Sequence, residues 1–118
     1  KPRFPTWDAV FTGSVPGGVF LYTRETVHTG AHLHARMFWP GTGVLEDPAT
    51  GAACAALGGL IHIYDTLPDG MHRRVIEQGF ELGRPSTIPL SLIVARGKLD
   101  TVRIGGHAVR VAEGVITI

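Results

Sequence analysis

The sequence predicts an α+β fold in which a mixed, mostly antiparallel β-sheet or barrel wraps around one central buried α-helix. The first observation is a stretch from Ala49 to Ile63 that carries no charged side chain. The second is the period-two alternation of apolar residues that follows Pro68, which is typical of strands. The third is the length of 118 residues, which fits a single domain.

Within this domain, residues 1–18 are predicted to be a lead-in and residues 19–118 the core. The lead-in is rich in proline and glycine, and its short apolar piece, Trp7 to Phe11, is long enough for a helical turn or two. Val19–Thr23 and Ala35–Trp39 are rich in β-branched and aromatic residues, which predicts two strands. The polar stretch between them, Thr26 to His34, is predicted to be a loop.

The helix is predicted to run from Thr50 to about Tyr64. Asp47 is a suitable N-cap residue, and Pro48 suits the first helical position because its missing N–H costs nothing there. A helix without charge on any face is typically surrounded by protein, so we expect strands on all sides. Three glycines, Gly51, Gly58 and Gly59, would each cost about 1 kcal/mol relative to alanine in a free helix, so burial must offset them.

The C-terminal part is predicted to be a β-meander. Its strands are Arg74–Gln78, Ile88–Ala95, Asp100–Ile104, Ala108–Val111 and Val115–Ile118, with turns at Gly105-Gly106 and Glu113-Gly114.

Composition excludes several classes of function. Eleven basic against ten acidic residues give a net charge of +1, and no basic cluster with aromatic residues predicts a nucleic-acid surface. The longest apolar stretch, Ala52 to Tyr64, is shorter than the roughly 20 residues of a membrane span. Cys54 has no disulfide partner, and within an apolar helix its thiol is expected to have a raised pKa and to be inert. These features favour a cytoplasmic protein.

Cofactor motifs are missing as well. The sequence has no G-x-S-x-G elbow and no phosphate loop, and Gly41-Thr42-Gly43 lacks the rest of a dinucleotide fingerprint. His28, His32 and His34 could suggest a metal site, but no further ligand accompanies them, so solvated histidines are the favoured interpretation. We expect neither a metal ion nor an organic cofactor.

The most informative stretch is Glu46 to Ala52. Backbone N–H groups of Thr50, Gly51 and Ala52 at the helix start would face a carboxylate or a developing oxyanion, which the helix dipole favours. The alternative is that Asp47 merely caps the helix, and spacing alone favours that alternative.

Several runs together resemble the phenazine-biosynthesis isomerase (PhzF-like) family over most of Val19 to Ile118. They are Arg36-Met37-Phe38-Trp39-Pro40, Gly43, Glu46-Asp47-Pro48-Ala49-Thr50-Gly51, Gln78-Gly79, Gly83-Arg84-Pro85-Ser86 and Gly105-Gly106-His107-Ala108-Val109. The resemblance implies one half of a diaminopimelate-epimerase-like fold, whose active site lies between the central helices of two similar halves. This chain is similar to the C-terminal half.

In that family, the aspartate matching Asp47 and a serine at the position of Ala52 line the substrate. The general acid/base glutamate and a histidine come from the N-terminal half. The resemblance therefore implies Asp47 as a catalytic residue, with Glu46, Thr50, Gly51 and Ala52 as substrate-binding residues. Ala52 departs from the family because it lacks the hydroxyl group of serine.

The implied function is half of a cofactor-independent isomerase or epimerase that moves a proton on a small carboxylate-bearing substrate. Without the N-terminal half, the chain is expected to be inactive. The alternative is a non-catalytic binding or self-assembling module, and in either case the expected partner is the N-terminal half or a second copy in a homodimer.

Overall fold

In the computed structural model, which describes residues 2–11 and 17–117, one long helix packs against one face of a six-stranded sheet. The helices are α1 (Phe4–Val10) and α2 (Gly51–Asp65), and the strands are β1 (Val19–Thr23), β2 (Leu33–Trp39), β3 (Val44–Asp47), β4 (Gly70–Gln78), β5 (Ser86–Ala95) and β6 (Lys98–Ile104). Short 3₁₀ turns lie at Pro40–Thr42 and Phe80–Leu82. The predicted fold class is confirmed. Parts of the predicted lead-in, at positions 1 and 12–16, lie outside the described residues.

Two strands that share one edge of β2 determine the geometry near the start of α2. The strand order is β1-β2-β4-β5-β6, with β2 and β4 parallel and the other pairs antiparallel. β1 occupies one whole edge of β2. Along the other edge of β2, β4 pairs with the first residues of the strand and β3 with the last. Ala35 faces Gln78 at the end of β4, and Met37 faces Asp47 at the end of β3. The ends of β3 and β4 therefore meet.

The core lies between α2 and this sheet. The helix buries Cys54, Leu57, Gly58 and Ile61, at the spacing of one helical face. The apolar side chains that they meet from the sheet are Leu33, Ala35, Ile76, Ile88, Leu90 and Leu92. At Gly58 the helix lies so close that an added Cβ would approach Leu92 Cδ2 to 2.8 Å.

The prediction that strands enclose the helix on all sides is wrong for the part of the chain that the structure describes. Leu60, Ile63 and Tyr64, on the face of α2 away from the sheet, are 43%, 67% and 76% exposed. The reason is that the sheet curls over one side of the helix and ends at β1 and β6, so it forms a half-barrel.

The predicted N-cap is also wrong. Asp47 is the last residue of β3, and the N-cap position of α2 is Thr50, where no side chain caps the helix. Pairing with Met37 holds Asp47 in the sheet, and Pro48 lies in the connecting turn.

The C-terminal half of the predicted meander is absent from residues 105–117, which contain no strand. Val109, Val111, Val115 and Ile116 are 84% to 93% exposed, because this segment pairs with no described strand. Ile118, the last residue of the final predicted strand, lies outside the described residues. None of the helices in the described ranges is both long and apolar enough to cross a membrane.

Candidate functional site

The turn between β3 and α2 forms around the carboxylate of Asp47. Asp47 Oδ2 accepts a hydrogen bond of 2.9 Å from the Thr50 hydroxyl, and Oδ1 accepts a longer one of 3.3 Å from the Ala49 N–H. Aspartate commonly makes such local bonds in turns. They fix the carboxylate at the entrance to the helix, although Asp47 is not its cap.

Gln78 holds the same turn from beneath and has no solvent exposure. Its Nε2 donates to the Asp47 carbonyl oxygen at 2.7 Å and to Thr50 Oγ1 at 2.9 Å, while its Oε1 accepts from the Thr50 N–H at 3.1 Å. The contact follows from topology, since β3 and β4 end side by side on β2. A buried amide with these three hydrogen bonds is well satisfied and rigidly held.

The residue that follows, Gly79, brings a second turn close to the first. Its backbone has φ +83°, and an added Cβ would collide with the carbonyl oxygen of Arg84 and come within 2.7 Å of that of Pro48. Glycine is therefore required here on both conformational and steric grounds. Gln78 thus binds the turn at Asp47–Thr50, and Gly79 lets the turn at Gly83–Ser86 pack against it. The three sequence runs therefore meet at one place in the fold.

Only some of the predicted backbone donors are open. The Thr50 N–H was expected to be an open donor, but it donates a hydrogen bond to the Gln78 side chain. The N–H groups of Gly51, Ala52 and Ala53 have no hydrogen-bond partner among the described residues, because the first helical bond is from the Cys54 N–H to the Thr50 carbonyl. These three donors form the positive end of the α2 dipole.

A cavity of about 400 Å³ lies beside this helix end. Its walls are formed by Ala49, Gly51, Pro85, Ser86, Thr87, Ile88, Ile104, Gly105, Gly106 and His107. Among the predicted site residues, only Gly51 lines it, whereas Asp47, Thr50 and Ala52 do not. Ser86, Thr87 and His107 were not predicted as site residues, although they lie in or next to the G-R-P-S and G-G-H runs that carry the family resemblance.

Glu46 does not share the surroundings of Asp47. Its carboxylate forms a bidentate ion pair with Arg36, at 2.8 and 2.9 Å. Neighbouring residues of a strand point to opposite faces of the sheet, so this pair lies on the face away from α2. The Arg36 guanidinium also lies 4.9 Å from the centre of the Phe38 ring. The structure therefore does not bring the Glu46 carboxylate to the helix end.

A second polar cluster on that outer face was missed by the sequence interpretation. His34 was expected to be solvated, but its ring lies between two carboxylates, with Nδ1 2.7 Å from Glu77 Oε1 and Nε2 3.0 Å from Glu81 Oε1. Glu77 is buried and also accepts hydrogen bonds from the N–H groups of Val27 and His28, at 2.6 and 3.1 Å. Within the described ranges, no group of histidine, cysteine and acidic side chains is arranged to hold a metal ion.

These contacts shift the protonation of the cluster. Burial alone would lower the pKa of His34, but hydrogen bonds to Glu77 and Glu81 and their negative charges raise it above its ordinary value. Burial alone would raise the pKa of Glu77, but hydrogen bonds from Val27, His34 and His28 bring it below its ordinary value. The fold therefore favours the charged forms of both groups.

The expectation for Cys54 is confirmed. The side chain has no solvent exposure, and burial raises the pKa of its thiol to about 11. A thiol in this state is neither a nucleophile nor a proton-transfer group at neutral pH.

The half-barrel sheet over one helix is a PhzF-like fold. The solved structure of a Bacillus anthracis phenazine biosynthesis protein of the PhzF family has the same fold, with a TM-score of 0.69 and 24% sequence identity. The match covers 77% of this chain and 31% of that one. The phenazine biosynthesis-like protein family model matches residues 2–114, and the chain belongs to that family.

Two curated relatives place the chain more closely. An uncharacterized isomerase of Mesorhizobium japonicum is 52% identical over 99 residues, which cover 84% of this chain and 33% of the relative. The trans-2,3-dihydro-3-hydroxyanthranilate isomerase of Pseudomonas aeruginosa is 35% identical over 85 residues, which cover 72% of this chain and 30% of the relative. The chain thus spans about a third of the length of the relatives that it matches.

Proposed function

We propose that this chain forms the substrate-anchoring half of a cofactor-independent isomerase that transfers a proton on a small carboxylate-bearing substrate. The supporting observation is the start of α2, where three open N–H groups adjoin the ordered Asp47 carboxylate. The open amides of Gly51 and Ala52 would bind the substrate carboxylate, with help from the helix dipole. Asp47 would then hold or move a proton beside it.

The roles of the other predicted residues follow from their contacts. Thr50 uses both its N–H and its hydroxyl internally, so it would orient Asp47 rather than touch the substrate. Glu46 is paired with Arg36, so it would hold β3 in place rather than contact the substrate. Ala52 offers its N–H without the hydroxyl of the family serine, so binding at this position would depend on the backbone.

The remaining acid/base group, a glutamate, would come from an N-terminal half of the same fold. We therefore expect the 118-residue chain by itself to lack isomerase activity. A cytoplasmic location is also part of the proposal, since Cys54 is a buried free thiol.

The test uses the longest native polypeptide that carries this sequence, with trans-2,3-dihydro-3-hydroxyanthranilate as the first substrate because a relative is named for its isomerisation. Proton transfer is followed as deuterium incorporation from D₂O. Asp47→Asn should lower kcat by roughly 10²- to 10⁴-fold, the usual range for loss of a general acid or base, with little change in melting temperature. Ala52→Ser should lower KM if the missing hydroxyl group matters.

Asp100→Asn is the matched control, because Asp100 is exposed and also accepts a threonine hydroxyl hydrogen bond, from Thr101 at 2.8 Å. It should leave turnover unchanged. If Asp47→Asn loses stability and activity in parallel, Asp47 only supports the turn and the proposal fails.

A second function, self-association without catalysis, is favoured by a separate observation. Leu60, Ile63 and Tyr64 are exposed on α2, and so are the large apolar residues of the C-terminal segment, Val109, Val111, Val115 and Ile116. Surfaces of this kind, together with open strand edges, promote pairing with another chain. We propose that a second copy covers them in a homodimer. Sedimentation of the purified chain tests this. A monodisperse monomer at about 100 µM, a concentration far above the Kd of a stable dimer, would exclude the homodimer.

A further inference from the structure

The orientation of the Gln78 amide is determined by backbone groups. The Thr50 N–H can only donate, so the atom 3.1 Å away must be the amide oxygen. The Asp47 carbonyl can only accept, so the atom 2.7 Å away must be the amide nitrogen. No flipped arrangement satisfies both contacts, and the side chain is fully buried, so water cannot replace either partner.

This orientation also determines the direction of the Thr50 hydroxyl. The second N–H of Gln78 donates to Thr50 Oγ1 at 2.9 Å, so the hydroxyl hydrogen is directed elsewhere. Its acceptor is Asp47 Oδ2, also at 2.9 Å. Gln78, Thr50 and Asp47 thus form a series of hydrogen bonds with a fixed direction: the Gln78 amide donates to the Thr50 hydroxyl, which donates to the Asp47 carboxylate.

We infer that Gln78 is a positioning residue, which acts through the Thr50 hydroxyl to hold Asp47 Oδ2 and leave Oδ1 as the less engaged carboxylate oxygen. Among the residues that the structure describes, only the Ala49 N–H donates to Oδ1, over the longer distance of 3.3 Å. The catalytic consequence rests on the proposed role of Asp47. The hydrogen-bond chain itself does not, so it can be tested separately.

The first measurement is amide hydrogen exchange by NMR on the chain as it stands. Gln78→Met removes the acceptor of the Thr50 N–H, so exchange at Thr50 should accelerate by about tenfold, the effect of losing one hydrogen bond in a well-packed site. Thr50→Val keeps that acceptor and should leave exchange at residue 50 unchanged. The Leu57 amide, in the middle of α2, serves as the internal reference. Unchanged exchange at Thr50 in a folded Gln78→Met variant would overturn the inference, whether or not the isomerase proposal holds.

The second measurement is turnover of the longest native polypeptide. Gln78→Met and Thr50→Val should each lower kcat by about tenfold with KM nearly unchanged, and the double variant should be no worse, because both act on one hydroxyl hydrogen. Thr50→Ser, which keeps the hydroxyl, should restore turnover. Additive losses, or a Thr50→Val variant with full turnover, would refute the positioning role. If the wild-type protein shows no turnover at all, the isomerase proposal fails, and the exchange result still decides whether the chain of hydrogen bonds exists.

Discussion

Two neighbouring glycines in α2 provide a matched pair for measuring how tightly the helix packs on the sheet. A Cβ added at Gly58 would lie 2.8 Å from Leu92 Cδ2 and 3.2 Å from Val102 Cγ1, whereas one added at Gly59 would meet no atom within 4 Å. Both positions lie inside the same helix, so replacement by alanine yields the same gain in helix propensity, about 1 kcal/mol. The difference between the two variants therefore measures packing alone.

The magnitude follows from the two opposing effects. Gly59→Ala should stabilise the chain by about 0.5 to 1 kcal/mol. Gly58→Ala gains the same amount but forces apart side chains of a close-packed core, which costs about 1 to 3 kcal/mol. Gly58→Ala should thus be less stable than Gly59→Ala by about 1 to 3 kcal/mol, and neutral to moderately destabilised relative to wild type.

Urea denaturation followed by circular dichroism, at one fixed protein concentration, measures both variants. Equal stabilisation by the two substitutions would mean that the contact between Gly58 and β5 is looser than the structure indicates. Destabilisation by Gly59→Ala would contradict the open space that the structure shows beside Gly59.

Two further outcomes concern the core and the outer cluster. Leu57 is 2% exposed, and Leu57→Ala should lower the free energy of unfolding by about 2 to 5 kcal/mol. Leu60 is 43% exposed on the same helix, and Leu60→Ala should lower it by less than half as much. Similar losses would refute the assignment of the buried face. Because the folded-state pKa of His34 is raised, the stability it contributes is full below its unfolded pKa of about 6.5 and is lost as pH rises through the folded pKa. His34→Gln should therefore destabilise the chain more at pH 6 than at pH 9 in urea titrations, and a difference independent of pH would contradict this.

The elements with strong local patterns could be predicted from sequence. The period-two run at Ile88–Ala95 and the uncharged stretch of α2 both occur where expected, within a few residues. The N-cap was mispredicted because Asp47 is a good cap residue, and its competing place in β3 depends on pairing with Met37, ten residues away. Alternation in residues 108–117 indicated which side chains share a face, but not whether a partner strand is present.

The candidate site was predictable only in part. The run from Glu46 to Ala52 identified the helix start, because a helix N-terminus binds anions wherever it occurs. The residue type of Gln78 predicted no role, since a single glutamine at the end of a strand is most simply a surface residue. The family resemblance included the Gln78-Gly79 pair but assigned it no function. The role of Gln78 emerges only because β2 brings the ends of β3 and β4 together.

The adjacency of Glu77 and Gln78 on β4 has a consequence for how the chain avoids misfolding. Slippage of β4 by one residue against β2 would exchange the two side chains, because successive residues face opposite sides. The Glu77 carboxylate would then enter the apolar core under α2, without His34 and without the Val27 and His28 amides that now receive it. An unpaired buried charge costs several kcal/mol, so shifted alignments of the central strands are strongly disfavoured. Glu77 and Gln78, which organise polar contacts on opposite faces of the sheet, thus also favour the correct alignment of β4 with β2.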